Sequence, residues 1–260
     1  MDIRLGFNNM PGEFVCSWVS LCEQFIPQDV VLKGRLDVKR PQGAQTPALA
    51  YHMMIEQGAM EIPEWYDAPL PIEALEMQGK LNIAEEVYTL ESMSGKVGSF
   101  TVVNLSGAVD ARTEPPTMAL QGELANMPVN DLEKYWPKVY APGSREWATT
   151  RVRDGVVPKA TIEMLVKPEH HQGEFFPSDI LKAVVEVDGA NLVAVETMPK
   201  ITDVKGTLYF TGDSMRVEGE SGKLDGLNVS KINLAMPNLN APAVPTNASF
   251  ELSGDMPAAL

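Results

Sequence analysis

The side chains that could do chemistry in this chain are few and badly spaced for it. His170-His171 is the one histidine pair. Neighbours in a strand point to opposite faces, and His52 is far away in sequence, so a loop between Pro168 and Gly173 is a better reading than a metal site. Cys16 and Cys22 are six apart on an expected helix and on different sides of it, which disfavours a disulfide within that helix and a metal framework alike. Glu85-Glu86 has no partner carboxylate identifiable by motif and reads as a solvated turn. Ser94-Gly95-Lys96 and Ser221-Gly222-Lys223 read as turns; they lack the phosphate-loop frame and no helix follows them. No nucleophile elbow, zinc-protease helix or dinucleotide fingerprint occurs. No catalytic residue, metal or cofactor is expected, and the chain is not read as an enzyme. Tyr135, Trp136, Tyr140 and Trp147 form an aromatic cluster that reads as a corner where helices pack on the end of a sheet. Its alternative role is a mouth that admits apolar ligand.

Composition narrows the partners. A net charge of −14 excludes the basic footprint that nucleic acid needs and disfavours an anionic membrane surface. At 44% hydrophobic, the 260 residues are globular in composition and long enough for one large domain or two ordinary ones. No stretch approaches the ~20 apolar residues of a membrane span, and Met1-Asp2-Ile3-Arg4 lacks the form of a signal peptide. Any signal or anchor is expected outside this segment.

The elements are overwhelmingly strands. Alternating runs cover Val31–Val38, Leu75–Ile83, Tyr88–Met93, Phe100–Val109, Ala160–Val166, Ala183–Val187, Gly206–Phe210, Ser214–Glu218, Leu227–Leu234 and Ala248–Leu252, broken by Gly, Asp, Asn and Pro. Turns are expected at Ala84-Glu85-Glu86 and Thr211-Gly212-Asp213, the second through positive φ at Gly212. Pro41–Pro47 and Pro237–Pro245 read as loops or edge segments. Helix is predicted over 12–26, where an apolar stripe ends at Pro27, and in short pieces over 129–152. So few helices cannot cover the apolar face of so many strands, and that face needs another cover.

The chain also repeats itself. Asn9-Met10-Pro11 returns as Asn126-Met127-Pro128 and as Asp255-Met256-Pro257, each after an alternating segment. Gly79 to Val102 aligns without gaps on Gly206 to Val229, with Gly79/Gly206, Leu81/Leu208, Glu91/Glu218, Ser94/Ser221, Gly95/Gly222, Lys96/Lys223 and Val102/Val229 identical. Two units follow, 1–128 and 129–260, with a sheet expected to run through both. The chain reads as a piece of a longer array.

One stretch has a family likeness. Pro128-x-x-x-Leu132-x-x-Tyr135-Trp136-Pro137, then Ala141-Pro142-x-x-Arg145-x-Trp147, then Gly155-x-Val157-x-x-Ala160, resembles a signature of the YhdP-like branch of the AsmA-like envelope proteins. The first unit departs from it, with a longer helix and no Tyr-Trp-Pro after Met10-Pro11. The resemblance implies an extended, curved antiparallel sheet forming an open apolar groove, in repeated units with short helices at their junctions. It implies a periplasmic segment of a parent anchored in the inner membrane of a Gram-negative bacterium, conducting phospholipid between the two membranes.

The groove would be lined by the apolar phase: Met77, Leu81 and Ile83, then Tyr88 and Leu90, then Phe100 and Val102. In the second unit it would hold Leu208 and Phe210, Met215 and Val217, and Leu227 and Val229. The alternative is a non-catalytic assembly module that binds an envelope protein through sheet edges, for example in outer-membrane biogenesis.

Overall fold

The computed structural model describes residues 2–13, 26–40, 47–172, 177–193, 199–239 and 246–254. The chain is mainly β, with antiparallel ladders and only short helices among the described residues. None of those helices is long and apolar enough to cross a membrane. Two compact units are formed, Met1–Leu124 with Glu163–Gly173, and Ala125–Ile162 with Glu174–Leu260.

The first unit contains β1 (Asp2–Pro11), β2 (Ile26–Gln28), β3 (Val31–Lys39), β4 (Ala48–Glu61), β5 (Leu70–Asn82), β6 (Val87–Val97) and β7 (Phe100–Asp110), followed by β8 (Thr117–Pro128). The long strands lie in the order β1-β3-β4-β5-β6-β7-β8, and β2 pairs with β4. After β8 come a single 3-10 turn at Val129–Asp131, α1 (Leu132–Tyr135) and α2 (Pro142–Arg151). The second unit continues with β9 (Val152–Arg153), β10 (Val156–Val166), β11 (Leu181–Leu192), β12 (Ile201–Thr211), β13 (Met215–Leu224), β14 (Leu227–Met236) and β15 (Asn247–Ser253). Here the order is β10-β11-β12-β13-β14-β15, and β9 pairs with β11.

The element string β1 to β7 is therefore repeated by β8 to β14. β2 and β9 occupy the same place, each a short strand followed by an aspartate at positive φ, Asp29 at 51° and Asp154 at 60°. The second hairpin keeps one register in both copies. Gly95 faces Val102 and Val97 faces Phe100, as Gly222 faces Val229 and Leu224 faces Leu227. The hairpin before it does not: Leu81 faces Tyr88, whereas its counterpart Leu208 faces Val217, the counterpart of Leu90.

Several expectations change. Ser94-Gly95-Lys96 and Ser221-Gly222-Lys223 lie inside β6 and β13, and the turns come after them, at Gly98-Ser99 and Asp225-Gly226. Asp225 and Gly226 both have positive φ, the requirement of a tight type I′ hairpin. Gly212 has no positive φ; the Thr211 hydroxyl builds that turn instead, accepting from the Ser214 amide at 3.0 Å. At the other turn it is Glu86 that takes positive φ, 51°. Ile26 opens β2, so it is strand and not the last helical residue, while 14–25, with Cys16 and Cys22, lie outside the described residues. Residues 41–46, 240–245 and the third mark at Asp255-Met256-Pro257 also lie outside them. His170 sits in a 3-10 turn, Pro168–Gln172, where its Nδ1 accepts from the Lys167 amide. β4 was not among the expected strands.

Irregular steps have one recurring cause. A strand shows one face every second residue, so apolar residues three apart should fall on opposite faces. Phe7 and Met10, Ile72 and Leu75, Val187 and Ala190, Ile201 and Val204, and Val229 and Ile232 are each three apart. In each case the ladder shifts register and the residue just before the second member has positive φ: Asn9, Ala74, Gly189, Asp203 and Lys231. A bulge absorbs the extra residue and returns both side chains to one face.

Candidate functional site

The pairings assemble one apolar face in the first unit. Across β3 to β7 it consists of rows running from strand to strand. The deepest row is Leu32, Ile55, Leu75 and Val102, all buried, with Ile55 3% and Leu75 4% exposed. Next come Met53, Met77, Met93 and Leu105, then Leu36, Tyr51, Gly79, Leu90 and Gly107, then Val38, Leu49, Leu81, Tyr88 and Val109. Apart from Gly79, which Tyr51 covers, these last three rows are half-buried. The face thus grades from a sealed core at one end of the strands to half-open apolar surface along the rest.

The half-open rows lie low because large side chains lie down over glycines. Tyr51 covers Gly79 and donates its phenol hydrogen to the Thr89 carbonyl at 3.2 Å. Burial, and after it the Glu91 carboxylate, push that phenol above its ordinary pKa. A Cβ on Gly107 would stand 3.2 Å from Leu120 Cδ1, and one on Gly122 2.7 Å from Leu105 Cδ1. Five strands at the usual inter-strand spacing make such a row about 19 Å long, against ~15 Å for half a bilayer's hydrocarbon core.

The opposite face is charged. Arg4 binds Asp37 at 2.6 Å, His52 meets Glu76 at 2.6 Å, Lys96 binds Glu73 at 2.9 Å, and Lys80 pairs with Glu91. These exposed pairs contribute little stability each, but they mark that face as the solvated one.

Of the expected lining residues, Met77, Leu81, Tyr88 and Leu90 lie on the half-buried rows. Phe100 and Val102 lie in the sealed part, 8% and 3% exposed. Ile83 is 55% exposed in the turn, because β5 ends at Asn82 although the alternation in the sequence continues to Ile83. In the second unit Leu208, Phe210, Met215, Val217 and Val229 are buried and Leu227 is half-buried. Tyr51, Met53 and Leu49 were missed with β4. Their alternation was readable, but Ala50 and Met54 on the other face blurred it.

The signature residues build the helical corner of the second unit. Pro128 ends β8 and Pro142 opens α2 at its first turn, where a missing N–H costs nothing. Leu132 accepts from the Trp136 amide and so closes α1, and Pro137 accepts from the Tyr140 amide. Arg145 donates to the carbonyls of Trp136 at 3.1 Å and Glu133 at 2.9 Å, which ties α1 to α2. Trp136 donates its indole hydrogen to the Tyr140 carbonyl and meets Phe210 edge-on at 5.6 Å. The Ser144 hydroxyl donates to the Thr211 carbonyl at 3.1 Å. Trp147 is buried, and its indole nitrogen has no hydrogen-bond partner among the described residues. Tyr135 lies half-buried in α1. Gly155 has φ of 72°, and a Cβ there would stand 2.5 Å from the Asp188 carbonyl; Ala160 is buried on β10. The aromatic cluster is thus a packing corner over the end of β12.

The chain thus repeats an antiparallel unit, with a graded apolar face in the first copy and a helical corner in the second. A family model described as YhdP protein matches residues 48–257. The chain belongs to the YhdP family, and this membership gives it a role in the bacterial envelope. No match was found among curated proteins or solved structures.

Proposed function

We propose that this chain is a non-catalytic segment of a lipid-transfer protein, and that the half-buried rows of the first unit carry phospholipid acyl chains. The observation that supports this reading is the grading of that face. A fully buried face would leave no room, and a polar one would not hold hydrocarbon. Contiguous apolar surface left half-exposed is stabilised by an apolar cover, at about 25 cal/mol per Å² removed from water. In this reading the parent is anchored in the inner membrane of a Gram-negative bacterium, and the segment stands in the periplasm between the two membranes. The test is mass spectrometry of the purified chain under native conditions. Co-purifying phospholipid, released by detergent, is the expected result. A lipid-free preparation that also fails to take up added phospholipid overturns the proposal.

A second reading has its own observation. Among the described residues β1 pairs only with β3, and it exposes Ile3 and Leu5, at 39% and 49%. An envelope protein could add a strand there. Cross-links from β1 to a partner, in a lipid-free preparation, would favour that reading over lipid transfer.

A further inference from the structure

We propose that a polar pocket beside β9 in the second unit binds a singly charged phosphate ester, of the kind carried by a phospholipid headgroup. The open pocket, about 500 Å³, is lined by Asn130, Arg153, Asp154, Asn191, Val193 and Lys200. It supplies the headgroup half of the lipid reading but stands on its own charges, and it does not depend on acyl chains binding to the first unit.

The Asp154 carboxylate is already engaged. It accepts from the Asn130 side-chain amide at 3.4 Å and from that of Asn191, and the Asp154 backbone amide donates to Asn130 Oδ1 at 3.0 Å. Each amide NH2 has two hydrogens, so both keep one for a ligand. Arg153 and Lys200 make no ion pair among the described residues, although Arg4, Lys80, Lys96, Arg112, Lys134, Arg216 and Lys231 all do. A guanidinium fork, an ammonium and two amide donors suit phosphate oxygens. Among the described lining residues two cations stand against one carboxylate, a balance of one positive charge that matches a phosphodiester monoanion better than a dianion.

The repeat supplies an internal control. In the first unit Gln28 stands where Arg153 stands, before an aspartate at positive φ, and faces Ala59 as Arg153 faces Asn191. Gln28 Nε2 donates to Glu61 at 2.6 Å, so that copy has a neutral amide bound to a carboxylate where the second unit has the Arg153 guanidinium. The same backbone forms without Arg153 and Asn191, so the fold does not require them.

The test is a titration of the full chain by NMR at fixed ionic strength with three probes. These are inorganic phosphate, glycerophosphoglycerol, and dihexanoyl phosphatidylglycerol below its micelle concentration. The expected result is a saturable shift of the Asn130 and Asn191 side-chain amides with glycerophosphoglycerol, weakened about tenfold or more in the Arg153→Gln/Lys200→Gln variant. If the double variant fails to fold by circular dichroism, Lys200→Gln alone carries the comparison, since Lys200 is exposed. Tighter binding of the short-chain lipid than of glycerophosphoglycerol assigns the site to lipid headgroups. Equal binding of those two supports the pocket as a site for the phosphodiester alone, without a contribution from acyl chains. Tightest binding of inorganic phosphate, no saturable shift with any probe, or a variant that binds like the wild type overturns the proposal.

Discussion

Tyr51 occupies the space that a side chain on Gly79 would need. A Cβ there would lie 2.5 Å from Tyr51 Oη and 2.7 Å from Cζ, and would collide with the Thr89 carbonyl that the phenol binds. Gly79→Ala should therefore destabilise the chain by about 1–3 kcal/mol, as overpacking does. Urea unfolding measures it; a midpoint within error of the wild type would show that Tyr51 and β6 give way freely.

Leu90 and Thr89 are neighbours on opposite faces of β6, which makes them a matched pair for the lipid reading. Leu90→Glu puts a carboxylate among the apolar rows, where acyl chains would have to desolvate it. Bound phospholipid per chain should fall several-fold in Leu90→Glu and stay near the wild-type level in Thr89→Glu. Equal losses in both variants would count against the face as the binding surface.

Arg145 holds two carbonyls at the end of α1 with one guanidinium. Arg145→Ala should cost about 2 kcal/mol, and Arg145→Lys should recover little of it, because an ammonium cannot span both carbonyls. Tryptophan emission should shift to the red as Trp136 loosens from Phe210. An unshifted spectrum with unchanged stability would mean that Trp136 is held by packing alone.

Asp110 titrates unusually low, at about 2, first through the Arg112 side chain and then through the Arg112 backbone amide. Its folded value lies below the ordinary ~3.9 of an unfolded aspartate. Its contribution to stability is therefore present above about pH 4 and is lost as pH falls through about 2. The pair is open to solvent, Arg112 more than Asp110, so the effect on unfolding is small. The carboxyl NMR midpoint should rise in Arg112→Ala but stop short of the ordinary value, because alanine keeps the backbone amide that Asp110 accepts from; a midpoint still near 2 would assign the shift to another cause.

Much of this architecture was legible in the sequence. The gapless match of Gly79–Val102 with Gly206–Val229 located a hairpin whose register is the same in both copies, and strict alternation located most strands. Alternation misleads where it meets a step of three. Ile72 to Leu75 reads as a change of face, yet Ala74 at positive φ puts both on one side. The first-hairpin register was hidden for a related reason: Thr211 builds its turn through a hydroxyl, while Glu86 does so through its backbone. The site was legible as a phase and not as a depth. Leu90 and Val217 occupy equivalent positions in sequence, but the first is half-buried and the second is 1% exposed. That contrast comes from packing, which periodicity does not encode.

The repeated mark has a torsional meaning. Asn9 and Asn126 both sit at positive φ, 57° and 59°, between an apolar residue two places before and the methionine just after. Asparagine, aspartate and glycine tolerate that conformation, and β-branched residues do not. The tag is thus a class of residues and not a word. Duplicated units of this kind could drift at the asparagine to aspartate or glycine and keep the same strand end, so kinship between distant units should be sought by permitted torsion before letter identity.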